Sequence, residues 1–315
     1  MYLYQRIGYA GQLGDGPYIK QILNDRLKRF LLFIAIGWWT CLCVGAANAK
    51  GAVSALPADS VTICRLLGEA RQQPRTANFP LFFARKFLGV PYVAHTLETY
   101  SSERLIVNTR QLDCTTLVEN VTALTLCAYR GQYTWQAYLD ALRNMRYREG
   151  IADSYTSRIH YFTEWITANE AKGIVTEIQA PNPPFKALQT VNVNYMSTHP
   201  NSYKALREHP EYVSDIRRME QRVSGGKFRY IPKAIVSNGS LLRKAVRDGD
   251  IIAITCKKKG LDIAHLGLAV WKDDGLHLLN ASMLHKKVVL EPMTLAQYLQ
   301  KHPSHTGIRI IRINK

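Results

Sequence analysis

The spacing of hydrophobic and polar positions changes along this chain, from helix-like recurrence in its first half to alternation in its second. Leu117, Val118, Val121, Leu124 and Ala128 recur at helical spacing. They predict an amphipathic helix from Cys114 to Tyr129 with Asp113 as its N-cap. Similar patterns predict helices over 59–72, behind an Asp59-Ser60 cap, over 79–88, entered through Pro80, over 134–146 and over 157–168. Ile174 to Ile178 reads as a strand, and Pro181-Asn182-Pro183-Pro184 closes that unit in a rigid loop. Residues 185–224 are polar and helical in tone, broken at Pro200 and Pro210, and form the expected elaboration on the fold. Strands are predicted over 227–231, 250–256, 263–271, 276–281, 286–290 and 307–313. Helices followed by an antiparallel run of strands give an α+β fold class.

Two of these elements carry chemistry. Cys114 occupies the first helical position, where the helix dipole and unpaired backbone N–H groups are predicted to lower its pKa and favour the thiolate. The same N–H groups suit an oxyanion. On this segment alone, a half-buried structural cysteine is an equal reading. Far downstream, Leu261 to Trp271 alternates with His265, Gly267 and Ala269 on one face. Leu266, Leu268 and Val270 take the other, core-facing side. A Lys272-Asp273-Asp274-Gly275 turn leads into a second strand, Leu276 to Ser282. With the turn centred on Asp273 and Asp274, His265 faces roughly residue 282, within one or two pairs of Asn280. Paired strand residues sit ~5 Å apart, so the Asn280 amide is within reach of the imidazole and can fix its tautomer. Cysteine nucleophile, histidine base and orienting amide, in that order, make a generalised triad for acyl transfer.

The start of the chain bears on compartment. Arg26 to Arg29 supply a basic segment, Phe30 to Val44 an apolar run, and Ala47-Asn48-Ala49 a small-x-small cleavage pattern, so residues 1–49 read as a signal peptide. The apolar run is shorter than the ~20 residues a membrane-spanning helix needs. The polar residues ahead of the basic segment point to a start site set too far upstream, and lipidation at Cys41 or Cys43 is not favoured. Residues 50–315 are then a single catalytic domain in an exported protein, with the periplasm as the expected compartment. Cys64, Cys127 and Cys256 are irregularly placed in apolar runs and read as small core residues rather than a disulfide framework. Neither Cys-x-x-Cys nor His-Glu-x-x-His occurs, so no metal site and no cofactor is expected. The net charge of +17 favours acidic partners, yet the basic residues are scattered and no nucleic-acid motif is present.

Several segments together resemble the N-acetylmuramoyl-L-alanine amidase-like branch of the NlpC superfamily of papain-like cysteine peptidases and amidases. They are Gly89-Val90-Pro91-Tyr92, Leu105-Ile106-Val107-Asn108, Leu112-Asp113-Cys114-Thr115-Thr116-Leu117-Val118-Glu119, the 157–166 segment, Leu261-Asp262-Ile263-Ala264-His265-Leu266-Gly267, Leu279-Asn280-Ala281-Ser282 and Gly307 to Arg312. The superfamily's usual Asp-Cys-Ser-Gly is Asp-Cys-Thr-Thr here, which favours the amidase-like branch over ordinary endopeptidases. Many relatives carry histidine where Asn280 stands. The resemblance implies a papain-like fold and hydrolysis of the bond between the muramic lactyl group and L-alanine in 1,6-anhydro-muropeptides. It also implies a place for Tyr92 beside the nucleophile, where its hydroxyl binds substrate or the oxyanion.

Tyr155 and Arg158 are further substrate-binding candidates. A guanidinium fork suits the carboxylates of a stem peptide, though Arg158 reads equally well as structural. Glu119 and Glu164 more simply pair with nearby bases. The remaining histidines, including His302 and His305, read as surface or structural, and strand alternation turns His277 away from Asn280. Two other functions fit the same residues: a γ-D-glutamyl-diamino acid endopeptidase acting on stem peptides, and a non-catalytic cell-wall binding module.

Overall fold

In the computed structural model, which describes residues 51–315, the chain enters through β1 (Val53–Ser54) and the helices α1 (Pro57–Arg71) and α2 (Phe79–Lys86). β2 (Leu105–Ile106) pairs in parallel with β1 and leads to α3 (Cys114–Tyr129), α4 (Trp135–Arg146) and α5 (Phe162–Ala171). Then come β3 (Val175–Ile178), β4 (Ala187–Thr190), the helices α6 (Tyr195–Thr198), α7 (Lys204–Glu208) and α8 (Tyr212–Val223), β5 (Lys227–Pro232) and α9 (Gly239–Leu242). The chain ends through β6 (Ile251–Cys256), β7 (Ile263–Lys272), β8 (Gly275–Ser282), β9 (Lys287–Leu290), α10 (Leu295–Gln300) and β10 (His305–Ile313). The expected signal peptide lies outside the described residues.

The strands from β3 onward form one sheet in the order β4-β5-β10-β6-β7-β8-β9, with β3 also on β10. Every pair in it is antiparallel. This is the α+β architecture expected from the sequence. Both faces of the sheet are covered. Leu266, Leu268 and Val270 of β7 join the large core beneath α1 to α5, whereas Ala269 belongs to a second core with Ile252, Leu278 and Leu299. The expectation of a single core-facing side on β7 is therefore corrected: α10 and the 236–246 segment cover the second face at Ala269. Gly267 is forced by that close packing, since a Cβ there would lie 2.7 Å from Leu278 and from the Leu279 carbonyl.

Helix α3 is buried without a break from Thr116 to Ala128. It is a central helix rather than one with a single buried face, as its amphipathic spacing suggested. It packs against α1, α2, α4, β7 and β8, so its polar side chains, Glu119 and Asn120 among them, are buried as well. Its start is fixed by a reciprocal cap: Asp113 accepts from the Thr116 N–H at 2.8 Å, and Thr116 Oγ1 accepts from the Asp113 N–H at 2.9 Å.

Two further expectations need correction. Ser157 to Ala168 is not one helix: Ser157 ends a short 3-10 turn, Tyr155–Ser157, and Arg158 is extended and bridges Tyr147, with Ile159 N–H donating to the Arg146 carbonyl. Helix α5 begins only at Phe162. Residues 185–224 are not helical throughout either, since Ala187–Thr190 pairs with β5 at the sheet edge. The helical remainder surrounds its own small core of Val191, Val193, Met196, Leu206, Ile216 and Met219, shared with Tyr155 and Tyr161. Among the cysteines, Cys127 is buried, Cys256 is half-buried and Cys64 is exposed, so only Cys127 fits the core role expected of all three; all are free. Among the described residues no helix is long and apolar enough to cross a membrane.

Candidate active site

The β7–β8 hairpin closes through Asp273 and Asp274, with Lys272 paired to Gly275 and Leu268 to Leu279. Continuing that register sets His265 opposite Ser282 and leaves Asn280 one diagonal step away. The expected contact is made: His265 Nε2 lies 2.9 Å from Asn280 Oδ1. An amide oxygen can only accept, so Nε2 carries the proton and Nδ1 holds the free lone pair. The Asn280 Nδ2 donates to the Leu278 carbonyl at 3.4 Å, which assigns the oxygen to the ring side. Asn280 is buried, and the hydrogen bond is shielded from competing water.

Cys114 stands at the first position of α3, half-buried against the main core. The backbone N–H of Leu266, next to His265, points at its sulfur, as do the N–H and hydroxyl of Thr115. The start of α3 thus meets β7 at the residue that follows His265. The thiol's acidity is the reverse of the sequence expectation. Burial, reinforced by the Asp113 carboxylate, pushes the Cys114 pKa up to about 12, outweighing the donors around the sulfur. Desolvating a thiolate costs more than the helix start returns. His265 moves the other way: burial lowers its pKa below the ordinary 6.5, opposed by the Asn280 bond, lowered further by His302, and raised by Glu291 and Asp113. Burial therefore favours the neutral form of both groups.

Tyr92 lies near Cys114 and Asp113. It bridges Leu112 in parallel and donates its N–H to the Lys286 carbonyl, and the nearby Cys114 and Asp113 add to burial in raising its phenol pKa. Tyr155 and Arg158 are together, with the guanidinium 4.8 Å over the Tyr155 ring, but they line a separate cavity. Glu119 and Glu164 pair with Arg146 and Arg148, each at 2.7 Å, as the simpler reading held. His277 bonds the Glu291 carbonyl and Asp274, turned away from Asn280.

Four neighbours of His265 were not found from the sequence. Tyr298 stacks on its ring at 6.4 Å, and His302 and His305 continue the stack. The spacing of Tyr298 and His302, one helical turn apart, was the available signal. Nothing local tied it to His265. Glu291 is the fourth. It is 1% exposed, its Oε1 lies 3.3 Å from His285, and its Oε2 has no hydrogen-bond partner among the described residues. Among the described residues no group of three or more His, Cys, Asp or Glu side chains is arranged to hold a metal ion.

Comparison with known proteins gives this geometry a context. Residues 82–308 match the family described as N-acetylmuramoyl-L-alanine amidase-like. An N-acetylmuramoyl-L-alanine amidase from Bacteroides uniformis is 40% identical in sequence; the match covers 79% of this chain and 100% of that one, with a TM-score of 0.71. A Bacteroides fragilis protein provisionally described as a xylanase is 38% identical over 73% of this chain and 99% of its own, with a TM-score of 0.69. A Legionella pneumophila protein at 21% identity, covering 81% of this chain and 94% of its own, shares the fold with a TM-score of 0.64. No curated protein matches the chain. The family match spans most of the chain and takes in the segments that carry Tyr92, Cys114, His265 and Asn280: this chain belongs to the N-acetylmuramoyl-L-alanine amidase-like family.

Proposed function

We propose that residues 50–315 form one catalytic domain of an exported, periplasmic cysteine amidase that hydrolyses the N-acetylmuramoyl–L-alanine bond of muropeptides, with the 1,6-anhydro form as substrate. The observation that carries the reading is the His265–Asn280 hydrogen bond, on the strand whose Leu266 N–H meets the Cys114 sulfur, in a chain of this family. The same arrangement supports a papain-like, NlpC-type assignment of the fold. With burial favouring the neutral thiol, His265 Nδ1 takes its proton as the sulfur attacks the lactyl carbonyl, and a free thiolate need not accumulate. The helix-start N–H groups and the Tyr92 hydroxyl receive the oxyanion. The imidazolium then protonates the leaving L-alanine amine, and water hydrolyses the thioester. Asn280 keeps the ring in the tautomer that can do both.

Mass spectrometry of a defined anhydro-disaccharide tetrapeptide after incubation with the protein tests the reading. Free tetrapeptide and intact sugar are the expected products. An L-alanyl-D-glutamate fragment would make the protein an endopeptidase instead, and binding without turnover would make it a cell-wall binding module.

Three predictions follow from the base. Asn280→Ala removes a hydrogen bond to a group that becomes charged, so kcat/KM is expected to fall about 10- to 100-fold. An unchanged kcat/KM would deny Asn280 any orienting part. Catalysis needs neutral His265, whose pKa is depressed, so activity is lost only as pH falls through a midpoint below 6.5. Glu291→Gln removes an anion that favours the protonated ring. The acid limb of kcat/KM should then move to still lower pH, and movement upward would exclude this role for Glu291.

A further inference from the structure

A cavity of about 200 Å³ lies between the 97–103 segment, which follows Tyr92 in the chain, and the helical elaboration. Tyr155 and Arg158 form part of its wall, and α7 and the start of α8 contribute Lys204 and Tyr212. The space is smaller than pockets that enclose a drug-sized ligand, and it suits a single residue rather than a whole muropeptide. Tyr155 and Tyr212 stack in parallel at 6.4 Å, giving the cavity an apolar lining for a methylene chain.

Its charges are mixed and specific. Arg158 is 6% exposed, and its buried Nε makes no hydrogen bond; Glu103 is its nearest carboxylate, at 3.5 Å. Glu103 is itself held by the Tyr147 hydroxyl at 2.7 Å. Burial pushes the Glu103 pKa up, against the pull of Arg158, and the charge of neighbouring Glu98 adds to the rise. Asp153 and Glu208 lie on the same lining, so acids outnumber bases here in a chain whose net charge is +17. A sugar offers no charge to match these walls. A lone carboxylate would satisfy Arg158 and Lys204 but face the Glu98–Glu103 pair.

The geometry points to this cavity as the seat of the stem peptide's diamino acid residue, with its ammonium toward Glu98 and Glu103 and its second carboxylate toward Arg158 and Lys204. The inference rests on the amidase reading for the identity of the ligand. It also gives the elaboration a purpose, since α7 and α8 supply one wall.

Calorimetric titration of full-length Cys114→Ala protein with three peptides tests it. All are L-alanyl-γ-D-glutamyl-X, where X is meso-diaminopimelate, lysine or norleucine. The norleucine peptide should bind at least about tenfold more weakly than the diaminopimelate peptide, a difference of about 1.4 kcal/mol, with lysine between them. Adding Glu98→Gln should bring lysine and norleucine to the same affinity. Adding Lys204→Met should instead remove the advantage of diaminopimelate over lysine, and circular dichroism would verify that both variants fold. Equal binding of all three peptides, or binding of none, would overturn the assignment. Failure of the amidase reading is separate: it would appear as absence of muramoyl-peptide turnover by the wild-type protein while the order of peptide affinities held.

Discussion

Replacing Cys114 with alanine is expected to abolish release of stem peptide from an anhydro-muropeptide, with kcat/KM falling at least about 10³-fold. Losing the nucleophile removes the acyl-enzyme route altogether, and what remains is binding and the oxyanion site acting on water. The fold should hardly register the change. Cys114 is half-buried at a helix start whose cap is made by Asp113 and Thr116, and alanine is a good helix former. Thermal unfolding should therefore show less than about 1 kcal/mol of change, which separates chemistry from scaffold. Acid quenching of the wild-type reaction should trap a thioester on Cys114, visible by intact mass and absent from the variant. A variant that still cleaves at the wild-type rate would eliminate Cys114 as nucleophile.

What could be read from the sequence and what could not divide along a physical line. The Asp113 cap, the run of α3 and the Lys272–Gly275 turn depend on neighbours within a few residues, and each is found where the local pattern places it. The His265–Asn280 contact follows from the turn, because antiparallel register carries its position along both strands. Longer-range effects were not legible. Ala187–Thr190 is a strand only because β5, far along the chain, pairs with it. Arg158 is extended because Tyr147 lies beside it. The thiol of Cys114 is less acidic than its helix position implies because its surroundings, which no local pattern reports, desolvate it. Tyr298, His302 and His305 reach His265 through the tertiary packing of α10 and β10.

The second large effect concerns the helix that presents Cys114. Glu119 and Arg146 are both fully buried; Arg146 Nε lies 2.7 Å from Glu119 Oε2, and Arg146 Nη1 lies 2.7 Å from the Ile106 carbonyl. One guanidinium thereby joins α3, α4 and β2. Glu119→Ala leaves that charge uncompensated in the core and is expected to cost about 3–5 kcal/mol of stability, measured by urea unfolding. The penalty comes from stranding the charge rather than from the worth of the pair, because burying both ions was itself costly. Replacing both residues together, as Glu119→Met with Arg146→Met, should therefore recover most of the loss. If the double variant is no more stable than the single one, the pair is an indispensable strut. If it recovers stability and retains muropeptide cleavage, the ion pair holds α3 in place and takes no part in the chemistry. A single-variant loss below about 1 kcal/mol would mean that water or another group reaches Arg146, contrary to its burial in this fold.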